Sequence, residues 1–142
     1  MIKMTLLGRP ITKKNHSRIV TQGNRRLLIP SQQYEQYEID CLWQVPPKAK
    51  QRIDFPVNMQ CVYFMPTKRA VDLVNLLEAT CDILVNAGVL ADDNCSIIAA
   101  HDGSRVFYDK KNPRVEITIT QYTGPVFPDS WDGTAYINEL SD

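Results

Sequence analysis

The spacing of apolar residues predicts an α/β (α+β) single domain, a mixed β-sheet with two main helices packed on it. Val57, Met59, Cys61, Tyr63 and Met65 alternate with Asn58, Gln60, Val62 and Phe64, and Val115, Ile117 and Ile119 alternate with Glu116, Thr118 and Thr120. A period of two is the signature of strands. Two other segments repeat at three and four residues: Tyr34, Tyr37, Cys41, Leu42 and Val45, then Leu73, Leu76, Leu77, Thr80, Ile83 and Leu84, which gives each one apolar helical face. The second helical segment lies between strands, so it forms a crossover within the sheet. A chain of 142 residues fits the usual size of one domain with its own core.

Ile2 to Gly8 reads as the first strand, closed by Gly8 and Pro10 and followed by a polar basic loop, Thr12-Lys13-Lys14-Asn15-His16-Ser17-Arg18. Ile19 to Ile29 should form a short hairpin turning at Gln22-Gly23-Asn24. Pro30 and Ser31 signal the start of the first helix, with Ser31 as its N-cap, and Pro46-Pro47 ends it. The Val57 strand stops at Pro66. The second helix is expected from about Asp72 to Ala87, capped by Asp72 and closed by Gly88 in the position where a left-handed residue is wanted. Asp72, Asn75, Ala79, Asp82 and Asn86 then form a polar stripe facing a cleft. Cys95 to Ala100 reads as a further strand, Asp102-Gly103-Ser104 as a turn, and Val115 to Thr120 as the last strand. Residues 121–142 carry several acids and no lysine or arginine, and are expected to be a peripheral tail, partly ordered through Trp131 and Tyr136, beside a main domain over 1–120.

Sixteen basic and sixteen acidic side chains give a formal charge of zero, so nothing in the bulk composition announces a nucleic-acid binder and any such affinity must come from local patches. The four cysteines, at 41, 61, 81 and 95, are far apart and never in a CxxC spacing. They read as reduced thiols, mostly in the core, rather than a zinc site or disulfide framework. His16 and His101 are isolated and read as surface residues. No apolar run is long enough for a signal peptide or a membrane span, which fits a cytoplasmic protein.

The chemistry concentrates in Asp72-Leu73-Val74-Asn75-Leu76-Leu77-Glu78, then Asp82, then Asp92-Asp93, with Lys68 and Arg69 just upstream. Hard oxygen donors beside cations suit a magnesium ion held against a phosphate, with Asp72, Asp92 and Asp93 as ligands. Taken singly, the same residues also fit a helix cap, a solvated face and a turn. A helix of this length spans on the order of 20 Å. Asp72 and Asp93 therefore meet only if the segment after Gly88 folds back toward the helix start, or if a second subunit supplies one of them. Lys13, Lys14 and Arg18, with Lys68 and Arg69, are the basic groups expected to contact DNA phosphates if they converge on this cleft.

These residues resemble the RusA family of Holliday junction resolvases, small dimeric endonucleases of phages and prophages. The resemblance runs from Gly8-Arg9-Pro10 and Lys13-Lys14-Asn15, through Ser31 and Tyr34, to the strand ending near Thr120. Its most specific part is Asp72-Leu73-x-Asn75-Leu76 followed by Gly88-x-x-x-Asp92-Asp93. It implies a homodimer that cuts four-way DNA junctions symmetrically with magnesium or manganese, using three aspartates and a lysine. Asp72 and Asp93 match the first and third aspartates, and Asp92 is present as in the family. The second aspartate falls at Val74 and the lysine at Glu78. Two repairs follow. Glu78, one turn beyond Val74 on the same helix side, acts as a replacement ligand with Asn75 and Asp82 in support, or the chain binds junctions with weak or no cleavage. A protein-binding adaptor that does not touch nucleic acid is the reading from another class.

Overall fold

The computed structural model describes residues 1–13 and 17–127, with the backbone alone for Ser17, Arg18 and Pro30. Strand β1 (Ile2–Leu7) is followed by a hairpin, β2 (Ser17–Gln22) and β3 (Arg25–Pro30), helix α1 (Gln32–Gln44), a 3-10 turn at Pro47–Ala49, strand β4 (Val57–Met65), helix α2 (Leu73–Asn86), and strands β5 (Ile98–Ala100), β6 (Arg105–Tyr108) and β7 (Arg114–Gln121). The main sheet is mixed. Its order is β1-β7-β4, with β5 and β6 both on the far edge of β4. β7 runs antiparallel to both neighbours, whereas β5 and β6 are parallel to β4, one after the other along its length. The crossover from β4 through α2 to a parallel strand is therefore as the sequence predicts, and the hairpin forms its own two-stranded sheet around Gly23-Asn24.

Two of the strands differ from the sequence expectation. The strand expected over Cys95–Ala100 is only Ile98–Ala100, because the Asn94 carbonyl accepts from the N–H groups of Ile97 and Ile98 and its side chain accepts from Ser96 N–H, closing a turn. In addition, β6 was not anticipated. Its four residues are all exposed and show no alternation, so only pairing with β4 makes them a strand.

Both helices pack on one face of the sheet. β4 buries Val57, Met59, Cys61, Tyr63 and Met65 in a core shared with Tyr34, Tyr37 and Cys41 of α1 and with Leu76, Thr80, Ile83 and Leu84 of α2. The Tyr63 hydroxyl lies 2.6 Å from Thr80 Oγ1, which itself donates to the Leu76 carbonyl at 2.9 Å. These buried polar groups are thus satisfied. Ala79 corrects the predicted polar stripe: it is buried, because it lies three residues from Leu76 and four from Ile83, on the seam facing the sheet. The caps hold as expected, with Ser31 Oγ accepting from Tyr34 N–H at 3.1 Å and Gly88 at φ 80° just past the end of α2. Gln121 ends β7, Tyr122 N–H donates to the Pro56 carbonyl, and the expected docking of Trp131 and Tyr136 lies outside the described residues. All four cysteines are free; Cys41, Cys61 and Cys81 are buried and Cys95 is exposed.

The loop between β5 and β6 is tied to β4. Asp102 N–H donates to Asn58 Oδ1 at 2.8 Å, and Ser104 Oγ accepts from Cys61 N–H at 3.0 Å. Gly103 sits at φ 86°, and a Cβ there would run into the Gln60 side chain. Gly103→Ala combines a left-handed backbone with that clash, so we expect a loss of about 1–3 kcal/mol, read as a lower midpoint in denaturant unfolding with an unchanged slope.

Candidate active site

Helix α2 and the turn after it position the acids. Asp72 caps α2 through one oxygen, Oδ1, which accepts from Val74 N–H at 3.0 Å and Asn75 N–H at 3.3 Å, so the cap does not use Oδ2. Val74 is 68 % exposed and Glu78, one turn on, is also exposed. Both therefore stand on the outward side of the helix. Asn75 and Asp82 are half-buried. Past α2 the chain is anchored by a parallel bridge between Ile53 and Leu90, then turns at Asp92-Asp93.

That turn folds back along α2. The buried Cys81 thiol is pushed up to about 12, first by burial and then by the charges of Asp93 and Asp82, with Glu78 adding to them. Asp93, Asp82 and Glu78 therefore share one electrostatic neighbourhood around the second half of α2. Asp92 accepts from Asp93 N–H at 2.7 Å and from Asn94 Nδ2 at 3.2 Å, and the Asp93 hydrogen bond holds its carboxyl below the usual range. Slight desolvation of the exposed Asp93 carboxyl, then the hydrogen bond and charge of Asp92, with Asp82 behind them, raise Asp93 above it. The pair is thus polarised, with Asp92 the readier anion.

Asp72 stands apart from this group. From Asp82 back to Asp72 is about ten helical residues, on the order of 15 Å, and among the described residues no three His, Cys, Asp or Glu side chains come together as a metal-binding group. The donor chemistry, carboxylate oxygens alone, suits a hard cation, but a full ligand set does not converge within the described part of one chain. Glu78 is the acid that stands between the two ends.

The basic residues fall around the same helix. Lys13 Nζ is 3.5 Å from Asp82 Oδ2, so the loop after β1 reaches across to the middle of α2. Arg69 and Arg9 line, with Asp72, a cavity of about 260 Å³ whose other walls include Pro10, Thr12, Thr67 and Ala70. Two guanidinium groups at the rim of a cleft beside a carboxylate suit a phosphate neighbour. Lys68 lies over the Tyr108 ring, 5.1 Å from its centroid. Lys14, Asn15 and His16 fall outside the described residues, as does the side chain of Arg18. Arg9 went unselected by sequence reasoning, although it lies in the quoted Gly8-Arg9-Pro10 block; only the folding of that turn against Asp72 makes it a site residue.

His101 is not the surface residue expected. It is half-buried, its Nδ1 donates to the Met59 carbonyl at 2.9 Å, and its Nε2 stands 3.9 Å from Cys81 Sγ, so it bridges the β5 end to β4 and α2. No helix among the described residues is long and apolar enough to cross a membrane.

A sequence model of the family described as endodeoxyribonuclease RusA matches residues 8–120, which takes in β1's closing turn, the capped α2 and the Asp92-Asp93 turn. The chain is also similar to a crossover junction endodeoxyribonuclease RusA of Aquifex aeolicus (strain VF5), 24 % identical over 125 residues that cover 87 % of this chain and 94 % of that one. With its match spanning most of the sheet, both helices and every acid of the site, this chain belongs to the RusA family of endodeoxyribonucleases.

Proposed function

We propose that this protein is a structure-specific endodeoxyribonuclease that resolves four-way DNA junctions by metal-dependent phosphodiester hydrolysis, working as a homodimer. The observation that carries this is the grouping of Glu78, Asp82 and Asp93 around the second half of α2, with Lys13 against Asp82, and of Arg9 and Arg69 with Asp72 at the helix start. In the reaction a water oxygen adds to phosphorus as one bridging P–O bond breaks, leaving a phosphate end and a hydroxyl end. Magnesium or manganese would polarise the phosphate and lower the pKa of the attacking water; Asp92 and Asp93, with Glu78 in place of the missing second aspartate, would hold it, and Asp72, which stands apart at the start of α2, would join them only across two copies of the chain.

The residues of the chain itself have separate tasks. Arg9 and Arg69 orient a phosphate at the Asp72 end, and Lys13, Lys14, Asn15, Arg18 and Lys68 are the further contacts proposed for the DNA backbone. Two copies are needed because a symmetric cut requires two sites on opposite strands. The resemblance to phage and prophage members fits a protein acting in the cytoplasm of a bacterial host.

The exposed Val74 and the absence of a converged acidic trio among the described residues favour a second reading, a junction-binding protein that cleaves weakly or not at all. Incubating the protein with a labelled synthetic four-way junction and magnesium or manganese, beside linear duplex and an Asp72→Asn control, separates the two. Paired symmetric nicks that vanish in Asp72→Asn are the expected result. Tight, salt-sensitive junction binding without nicks would establish the second reading instead.

A further inference from the structure

Opposite the helices the sheet exposes Lys3, Thr5 and Leu7 of β1 and Glu116 of β7. Asn58, Gln60, Val62 and Phe64 of β4 are partly buried there, with the β5–β6 loop against Asn58 and Gln60. At one end of this face three flat groups lie side by side on neighbouring strands, because Phe64 is paired in register with Arg114 of β7 and with Phe107 of β6. Phe64 and Phe107 are stacked, 5.6 Å between centroids and 23° between planes, and the Arg114 guanidinium lies 3.7 Å from the Phe64 centroid.

Arg114 is not a loose surface cation. It is pinned by Asp109 at 3.0 Å and Glu116 at 3.1 Å, so it props Phe64 from behind. The stack therefore has one closed end and one open end, and the open end is Phe107, 48 % exposed. A stack of π-faces left open on an edge strand is an apolar surface without a partner in this chain's described residues, and the group that continues such a stack is another flat ring. The charges nearby favour a polyanion: Arg105, two residues before Phe107, and Lys110 and Lys111 after it are exposed, while the acids Asp109 and Glu116 are engaged with Arg114. Aromatic rings on adjacent strands of an open sheet, bordered by cations, are how proteins hold unpaired bases. Tyr108 follows Phe107 directly and lies under Lys68, four residues before Asp72, so the strand edge leads from this face toward the acidic cleft.

We propose that the open sheet face at Phe64, Phe107 and Arg114 is a second DNA-contact surface, which stacks unpaired bases of a single strand on Phe107. This rests on the reading that the protein works on DNA, though not on its cutting DNA. The test is fluorescence anisotropy without divalent metal, using a single-stranded oligodeoxynucleotide and a four-way junction whose arms are fully paired. Phe107→Leu keeps apolar bulk but removes the ring face, and Phe107→Trp keeps a ring. The expected result is that the wild-type protein binds both probes, that Phe107→Leu weakens single-strand binding roughly tenfold with junction affinity kept within about twofold, and that Phe107→Trp binds the single strand like wild type. Junction binding with no single-strand binding, or a Phe107→Leu protein that binds the single strand unchanged, would overturn the second surface and leave the junction reading standing. Binding of neither probe would overturn both. Unchanged single-strand affinity together with a changed elution volume of Phe107→Leu in size exclusion would assign the face to a second copy of the chain and likewise end the proposal.

Discussion

Asp93→Asn is expected to lower paired nicking of a four-way junction by at least about a hundredfold while leaving junction affinity within about twofold. The amide keeps the shape but loses the anion, so the loss falls on charge stabilisation at the scissile phosphate, where single groups are worth roughly 10²–10³ in rate. Gel assays of nicking at saturating protein, paired with binding measured without metal, separate the two effects. The pH dependence carries a sign of its own. Asp93 must ionise to act as an oxygen donor, and slight desolvation, then its hydrogen bond and charge from Asp92, raise its pKa above the ordinary carboxylate value. Nicking should therefore fall on acidification at a higher pH than an unperturbed aspartate would produce. Asp92→Asn removes a negative neighbour, so the pKa of Asp93 drops and the acidic limb moves to lower pH. A limb that does not move in Asp92→Asn would show that another group controls it.

The second large effect concerns Val74 and Glu78, where the resemblance to the family implies an aspartate and a lysine. Val74 and Glu78 stand one turn apart on the outward side of α2, both exposed, so either can carry a carboxylate toward the same space. If Glu78 supplies the oxygen that a second aspartate supplies elsewhere, Glu78→Gln should cut nicking by on the order of 10². Adding Val74→Asp to that variant should restore most of it. Exposure at both sites makes a folding defect an unsuitable explanation, since surface changes away from the core rarely exceed about 0.5 kcal/mol. Unchanged nicking in Glu78→Gln would remove Glu78 from the site. A gain in Val74→Asp alone over a silent parent would mean that the parent had lost catalysis with its second aspartate.

Local signals made much of the architecture legible. Ser31 and Asp72 cap helices where a short oxygen-bearing side chain precedes an apolar periodic run, and Gly88 ends α2 where a left-handed residue is needed. The alternation in β4 and β7 marked the buried face of the sheet because the side-chain period of a strand is two. Segments with weak periodicity were harder. β6 has no alternation to read, and Cys95–Ile97 is apolar enough to look like strand, although Asn94 bonds it into a turn.

The sequence by itself determined the mixed sheet with two helices, the family, and the identity of the acids and bases, since all of these reside in residue types at fixed spacing along one element. Tertiary structure decided which of them meet. It brought Asp93 back beside Cys81 and Asp82, set Lys13 against Asp82, and put Arg9 at the same cavity as Asp72, while leaving Asp72 at the far end of α2. It turned Ala79 inward and His101 toward the Met59 carbonyl. It also aligned Phe64 of β4 with Phe107 and Arg114 of β6 and β7, which lie far along the chain from it. The physical reason is the same in each case: periodicity fixes the direction of a side chain relative to its own helix or strand, but proximity between elements depends on sheet order and register, which arise only when the hydrophobic faces are buried against one another.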